Sequence, residues 1–360
     1  MVRGVVGGGH GANGIVTEVS SPAADSTFRT AVARQLDTFV ADQRLLLTDL
    51  DPAVGDLVDA AVDFTVGGKL FRPTFCHAGW LLAGGTPADP RIAAAGAAFE
   101  WLQGSALAHD DLMDGSDTRR GRPSVHRDFE ARHAAAGGFG DAEQYGARVA
   151  ILLGDLMLAW ADEHFRRADP DARTASLWDA CKSEVVSGQF LDVLSQTRDT
   201  LDVASAMHVI RFKSAKYTIE RPLHVGAALA GGDETLLSRL TDVALPLGEA
   251  FQLRDDVLGV FGDPADTGKP AGDDLREGKR TVLVARTAQV CGHDRVLSLL
   301  GRAEGVDELH DLIESSGALA AVEVDIDRLV TQAEQAIAVL GDEAASLLDP
   351  LVDAATRRVR

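Results

Sequence analysis

Residues 92–114 read IAAAGAAFEWLQGSALAHDDLMD, an apolar run rich in Ala and Leu that closes on three aspartates. Ala and Leu are strong helix formers, and nothing in the run alternates as a strand would, so it reads as one long helix ending in Asp110, Asp111 and Asp114. Residues four apart share a helix face. Asp110 and Asp114 therefore point the same way, while Asp111 stands about 100° round. Two carboxylates on one face repel each other unless a cation sits between them. Magnesium wants hard oxygen ligands and commonly bridges such carboxylates to a substrate phosphate. A solvated acidic helix end is the plainer alternative for an isolated DDxxD string.

The same period extends outward. Apolar residues recur every three or four positions through 28–50, 149–165 and 204–229, and again at Val322, Ile326, Leu329, Val330, Ala333 and Ile337. Gly and Pro gather between these runs at 84–87, 137–140 and 231–233, as loops require. The segment 132–146 reads as a surface insertion between helices. No break in composition and no fixed repeat divides the rest. The expectation is an all-α chain, a single large bundle of long helices over 26–360 preceded by a disordered, Gly- and Ser-rich arm over 1–25. That arm has neither the h-region of a signal peptide nor an apolar run long enough for a transmembrane segment.

The chain has 360 residues, 46% of them apolar, which is ample for a sizeable core. Its formal charge of −20 argues against a nucleic-acid partner. Anions can then be held only where cations gather locally. Cys76, Cys181 and Cys291 are too few and too scattered for a disulfide framework or a zinc site, and a reducing cytoplasm is the expected location.

Local cations are found where the acids are. Arg119-Arg120-Gly121-Arg122-Pro123 follows the first cluster; it either pairs with the aspartates at the surface or clamps a phosphate whose magnesium they hold. Residues 251–259, FQLRDDVLG, again end an apolar stretch in acid at Asp255 and Asp256, and Lys269, Asp273-Asp274 and Lys279 follow. Residues 67–73, GGKLFRP, place Lys69 and Arg72 three apart, where they can converge on one anion or stand as two exposed cations. Lys213-Ser214 lies inside an apolar run, where a lysine needs a counter-charge or must snorkel to water.

Taken together these strings resemble the trans-isoprenyl diphosphate synthase family, the polyprenyl synthetases. Residues 67–73 look like its GGKxxRP motif. Gln103 stands seven residues before Asp110, as in that family, and 110–114 with 119–121 is similar to its first aspartate-rich motif and following RRG. Gly188-Gln189 with Asp192, Lys213-Ser214, and 251–256 followed by Lys269 keep the family's order across roughly residues 26–350.

The resemblance implies helices around a deep central cavity, usually in a homodimer. It implies a prenyltransferase that condenses isopentenyl diphosphate with dimethylallyl, geranyl or farnesyl diphosphate, helped by three magnesium ions. By that resemblance Asp110, Asp114 and Asp255 bind the metal, supported by Asp111 and Asp256. Arg119, Lys213 and Lys269 hold the allylic diphosphate, with Ser214, Gln252 and Lys279 also on substrate. Lys69, Arg72, Gln103 and Arg120 hold isopentenyl diphosphate.

Two positions depart from the family. Gly259 stands where many relatives carry the last aspartate of the second motif, and Ser214 replaces the usual threonine. Asp263, four residues after Gly259, shares its face if the helix continues, and Gly259→Asp is expected to change little.

Product length is read along the helix that carries Asp110. Ser105 and Ala106 are small and leave its first turn open. Leu102 and Trp101, eight and nine residues before Asp110, lie about 12–14 Å along the axis and could floor a cavity there, or Trp101 could pack as core. A product longer than fifteen carbons is expected, with twenty favoured. The rival readings are a class I terpene cyclase, which would leave 67–73 unexplained, and a silent partner subunit, which would be expected to have lost these motifs.

Overall fold

The computed structural model of the chain describes residues 26–65, 68–263 and 271–356. The expected N-terminal arm, Gly67 and Lys269 lie outside the described residues. Among those described, strand structure is confined to the short pair Thr118–Arg119 (β1) and Arg122–Pro123 (β2). Everything else of regular form is helix, and none of these helices is long and apolar enough to cross a membrane.

The helix that opened the sequence reading runs Pro90–Asp114 (α4). Asp89 caps it by accepting from Arg91 N at 2.9 Å, Pro90 fits its first turn, and Gly115 ends it in the left-handed region at φ 68°. Residues 92–102 are buried without exception. A helix that is apolar all round belongs in the middle of a bundle, and α4 is that central element. Ser26–Thr48 (α1), Gly55–Thr65 (α2) and Phe71–Leu82 (α3) pack on it, as does Ala142–Arg166 (α6) along its length. Trp101 sits in this core. Its ring lies 5.0 Å from Trp160 and 5.8 Å from Phe39, and its Nε1 donates to His164 Nδ1 at 3.3 Å. Burial, and then the charge of Arg167, push the His164 pKa down to about 4, so the ring is the neutral acceptor this bond needs.

Residues 132–146 do join two helices at the surface, but only their middle is a loop. Val125–Ala135 (α5) runs into them and α6 starts at Ala142 under an Asp141 cap, leaving a short turn between. Gly146 belongs to α6, where a Cβ would meet the His126 carbonyl. It lets two helices touch, and its composition imitates a loop.

The periodic run at 204–229 is also not one uniform helix. Val203–Val209 (α8) and Arg221–Leu229 (α9) are α-helical, but Ile210–Glu220 between them winds as a π-helix with i→i+5 bonds. Two glycines clamp this wide segment. A Cβ on Gly188, in Ala172–Gln196 (α7), would lie 2.6 Å from Lys213 Cα. A Cβ on Gly248, in Glu234–Phe261 (α10), would lie 2.6 Å from Ala215 Cα. The backbone carrying Lys213 and Ser214 is thus held between two helices at closer range than any side chain allows. Beyond α10 follow Asp273–Arg276 (α11), Val282–Cys291 (α12), His293–Leu299 (α13), Val306–Ser315 (α14), Ala318–Leu340 (α15) and Asp342–Thr356 (α16). Arg254 ties α10 to α15 through Glu323 at 2.7 and 2.8 Å.

Candidate active site

The C-terminal end of α4 delivers the first cluster as helical geometry requires. Asp110 accepts from Lys213 Nζ at 3.1 Å and from Gln189 Nε2 at 3.0 Å, and Lys213 also reaches Asp192 Oδ2 at 2.6 Å. Asp114 meets Lys279 Nζ at 3.2 Å. Asp111, turned away and 1% exposed, takes Arg119 Nε at 2.9 Å. The arginines come from a two-residue hairpin in which Arg119 pairs with Arg122, and Arg120 (φ 52°) and Gly121 (φ 72°) form the turn. Positive φ at both central residues is the mark of a type I′ connection, which matches the twist of its strands.

Burial works to raise the Asp110 pKa. The charges of Lys213, Lys279 and Arg119 outweigh it and hold the group at about 2. Asp114 goes the other way, to about 6, pushed first by burial and then by the charge on Asp110. Lys213 is raised although burial opposes it, because Asp110 and Asp192 flank it. It is firmly charged.

The π segment joins this cluster to the second one. Its Lys213 faces Asp110, and the next residue, Ser214, donates to Gln252 Oε1 at 2.5 Å. Gln252 Nε2 in turn donates to Asp256 Oδ1 at 2.9 Å. Asp255 is exposed and Asp256 buried. Burial, then the charge of Asp274, drive the Asp256 pKa well above the usual carboxylate range. Lys279 touches both sides: its Nζ is 3.2 Å from Asp114, 3.2 Å from Asp274 and 2.6 Å from Glu277. Asp263 does not extend the motif, because α10 ends at Phe261 and Gly262 turns extended.

A second polar group forms around the foot of α3. The Arg72 guanidinium lies over the Tyr217 ring at 4.2 Å and donates to Thr218 Oγ1 at 2.9 Å, and Tyr217 Oη donates to Gln103 Oε1 at 2.9 Å. Lys69 is exposed just before this helix, which begins after Leu70 in the left-handed region. Glu100 is buried beneath it. A Cβ on Gly68 would lie 2.9 Å from Glu100 Oε2, so the preceding loop rests directly on this carboxylate.

Burial raises the Glu100 pKa to about 7 against the pull of Arg72, Arg120 and Arg29. A carboxyl whose pKa is raised on folding costs stability as pH climbs above its unfolded value, with the full cost reached above the folded one. The window here is roughly pH 4.5 to 7, and the size about 3 kcal/mol. Glu100→Gln is therefore expected to gain melting temperature over the parent progressively from pH 5 to pH 8. A difference that stayed flat with pH would contradict this origin of the strain.

The structure brings Asp110, Asp114, Lys213, Ser214, Gln252, Asp256 and Lys279 into one connected group, and Arg72 and Gln103 into another. Arg119 and Arg120 lie between the two: Arg119 reaches Asp111 and Asp110, and Arg120 Nη1 approaches the Phe64 carbonyl at 3.4 Å. Spacing alone gave no role to Glu100, Tyr217, Glu277 or Asp274. For Asp274 there was a signal, the acid pair just ahead of Gly278-Lys279, but nothing in the string says where it folds back to.

Among the described residues no three acidic, His or Cys side chains converge on one point as they stand. The donor set nevertheless suits a hard divalent cation. Asp114 and Asp256 are each raised in part by a neighbouring carboxylate, a repulsion that a cation between them would relieve.

Residues 56–315 match the family model described as polyprenyl synthetase. The geranylgeranyl diphosphate synthase of Sulfolobus acidocaldarius is 32% identical over 73% of this chain and 76% of its own length. The geranylfarnesyl diphosphate synthase of Aeropyrum pernix is 31% identical over 82% of this chain and 91% of its own. A solved geranylgeranyl pyrophosphate synthase from Corynebacterium glutamicum, complexed with isoprenyl diphosphate and magnesium, has a TM-score of 0.88 at 38% identity, over 92% of this chain and 99% of that one.

Proposed function

The chain belongs to the polyprenyl synthetase family, and from that premise we propose that it condenses isopentenyl diphosphate with an allylic diphosphate to make geranylgeranyl diphosphate. The observation that carries the reading is the pairing of two sites. One is a carboxylate and lysine group built from Asp110, Asp114, Asp256, Lys213 and Lys279, with Asp255 exposed beside Asp256. The other is a separate cationic group at Arg72 and Arg120, next to Gln103 and Tyr217. A terpene cyclase, which takes a single diphosphate, has no use for the second.

Asp110, Asp114 and Asp255 would hold magnesium, three ions on this reading, which when bound would neutralise charge on the departing diphosphate. Lys213 and Lys279 supply fixed positive charge at the same oxygens, set in place before reaction by the aspartates around them, so little reorganisation is needed as the C–O bond ionises. Lys269 joins them on the allylic diphosphate. Lys69, Arg72, Gln103 and Arg120 orient isopentenyl diphosphate so that its double bond meets the allylic carbon, and this positioning supplies much of the rate. Apolar walls below Asp110 keep water from the cation. Ser105 and Ala106 leave the first turn of that wall open, and the floor falls to Leu102 or Trp101, which lie buried in the same core.

We also place the work in the cytoplasm, in one domain from residue 26 onward, and in a homodimer. Ile151, Leu152, Val186 and Phe190 stand exposed on α6 and α7, an apolar face that a second copy of the chain would cover. Purified protein incubated with isopentenyl diphosphate, magnesium and each allylic starter is expected to elute as a dimer and to accumulate twenty-carbon product. Products stopping at fifteen carbons would overturn the length assignment. A hydrocarbon made without isopentenyl diphosphate would overturn the reaction.

A further inference from the structure

Glu100 is a carboxyl on the otherwise apolar stretch of α4, beside the arginines assigned above to isopentenyl diphosphate. It is 6% exposed, and among the described residues it makes no hydrogen bond and no ion pair. A buried acid without a partner costs free energy, so its retention in this place calls for a use. Its surroundings are cationic. Arg72 on α3, Arg120 in the hairpin and Arg29 on α1 all pull on its charge. The loop before α3, which carries Lys69, lies directly on it: a Cβ on Gly68 would come within 2.9 Å of Oε2. Arg72 in turn has a donor to spare, since Nη2 goes to Thr218 while its buried Nε has no partner.

An arriving diphosphate changes the balance at this acid. It takes over the arginines that steady an ionised Glu100 and adds its own repulsion, and both effects favour the neutral carboxyl. We propose that isopentenyl diphosphate enters its site together with one proton, which Glu100 takes up from solvent. Before binding, the ionised acid holds the like charges of the arginines together. After binding, the neutral acid releases them to the diphosphate. Glu100 is thus a positioning residue for this substrate. The groups around it leave it to titrate alone near neutral pH. Burial raises the Tyr217 phenol on the π segment and pushes the Cys181 thiol on α7 up to about 12, so both stay neutral. The guanidinium groups stay charged, and His77 on α3 stacks on Phe28. With a free-state pKa of about 7 that binding raises further, affinity is full below pH 7 and falls as pH climbs through it.

The inference rests on the prenyl-transfer reading, and calorimetry separates the two. Isopentenyl diphosphate is titrated at pH 7.5 into the parent and into Glu100→Gln, in two buffers of different ionisation enthalpy. Magnesium and an unreactive allylic thiolodiphosphate fill the other site throughout. The parent is expected to take up about half a proton more per substrate bound than Glu100→Gln does. Its KM for isopentenyl diphosphate should rise roughly fivefold between pH 6.5 and 8, a rise that Glu100→Gln flattens, while the KM for the allylic substrate follows the same course in both proteins. A role confined to packing would move neither the proton count nor the pH profile. Equal uptake in the two proteins would overturn the inference. So would a parent that takes up no proton, whether or not the variant folds. A parent that binds no isopentenyl diphosphate at all would instead overturn the reaction proposed above.

Discussion

Asp110→Ala is expected to lower kcat by roughly a thousandfold while leaving the protein folded. Asp110 is the acid on which Lys213, Gln189 and Arg119 converge, at 3.1, 3.0 and 3.9 Å. On the proposed reading its loss removes a magnesium ligand and unbalances the charge beside the leaving group, where stabilisation is needed only as the C–O bond breaks. Lys213 keeps its 2.6 Å contact with Asp192 and stays placed, so the variant reports on chemistry more than on assembly. The KM for isopentenyl diphosphate should move little, since Arg72 and Gln103 are held by Thr218 and Tyr217 instead. A kcat within tenfold of the parent would remove Asp110 from the reaction.

Gly188→Ala is the second large effect, and it acts without touching substrate. The added methyl would sit 2.6 Å from Lys213 Cα, against backbone that no rotamer change can clear. Either α7 or the π segment must shift. Overpacking of this kind costs about 1–3 kcal/mol of stability. The same shift moves the Lys213 ammonium away from Asp110, and a displacement near 1 Å in a positioned group can cost about a hundredfold in rate. The variant should therefore lose both melting temperature and kcat, more of the latter than its stability alone explains. Full turnover with an unchanged melting temperature would mean that the close approach is not rigid.

Much of this was legible in the sequence. The burial of α4 follows from a composition at 92–102 that is apolar except for Glu100, and the split between Asp110 with Asp114 and the diverging Asp111 follows from helical spacing. The loops at 84–87 and 231–233 announce themselves by glycine and proline. Other features leave no such mark. Nothing in the composition of 210–220 distinguishes i→i+5 from i→i+4 winding, because the choice is made by what packs on either side, here Gly188 and Gly248. Residues 132–146 misled because Gly146 serves helix contact while looking like a loop. Asp274 was hidden for the opposite reason: the helix face at 255–259 is a local property, and the acid whose Cγ lies 2.6 Å from a Cβ built on Gly259 arrives from outside the helix.

The π segment has one more consequence, a matter of phase. Each of its turns holds about one residue more than an α-turn, so side chains after it are rotated relative to where an unbroken helix would have put them. α8 can then rest on α12 while α9, further along the same rod, lies against α3. One continuous helix thereby serves two differently oriented neighbours without a loop between them, with Pro222 in the first turn of α9 just after the π segment. The place where its phase slips is also the place where Lys213 and Ser214, side by side, aim at opposite halves of the site.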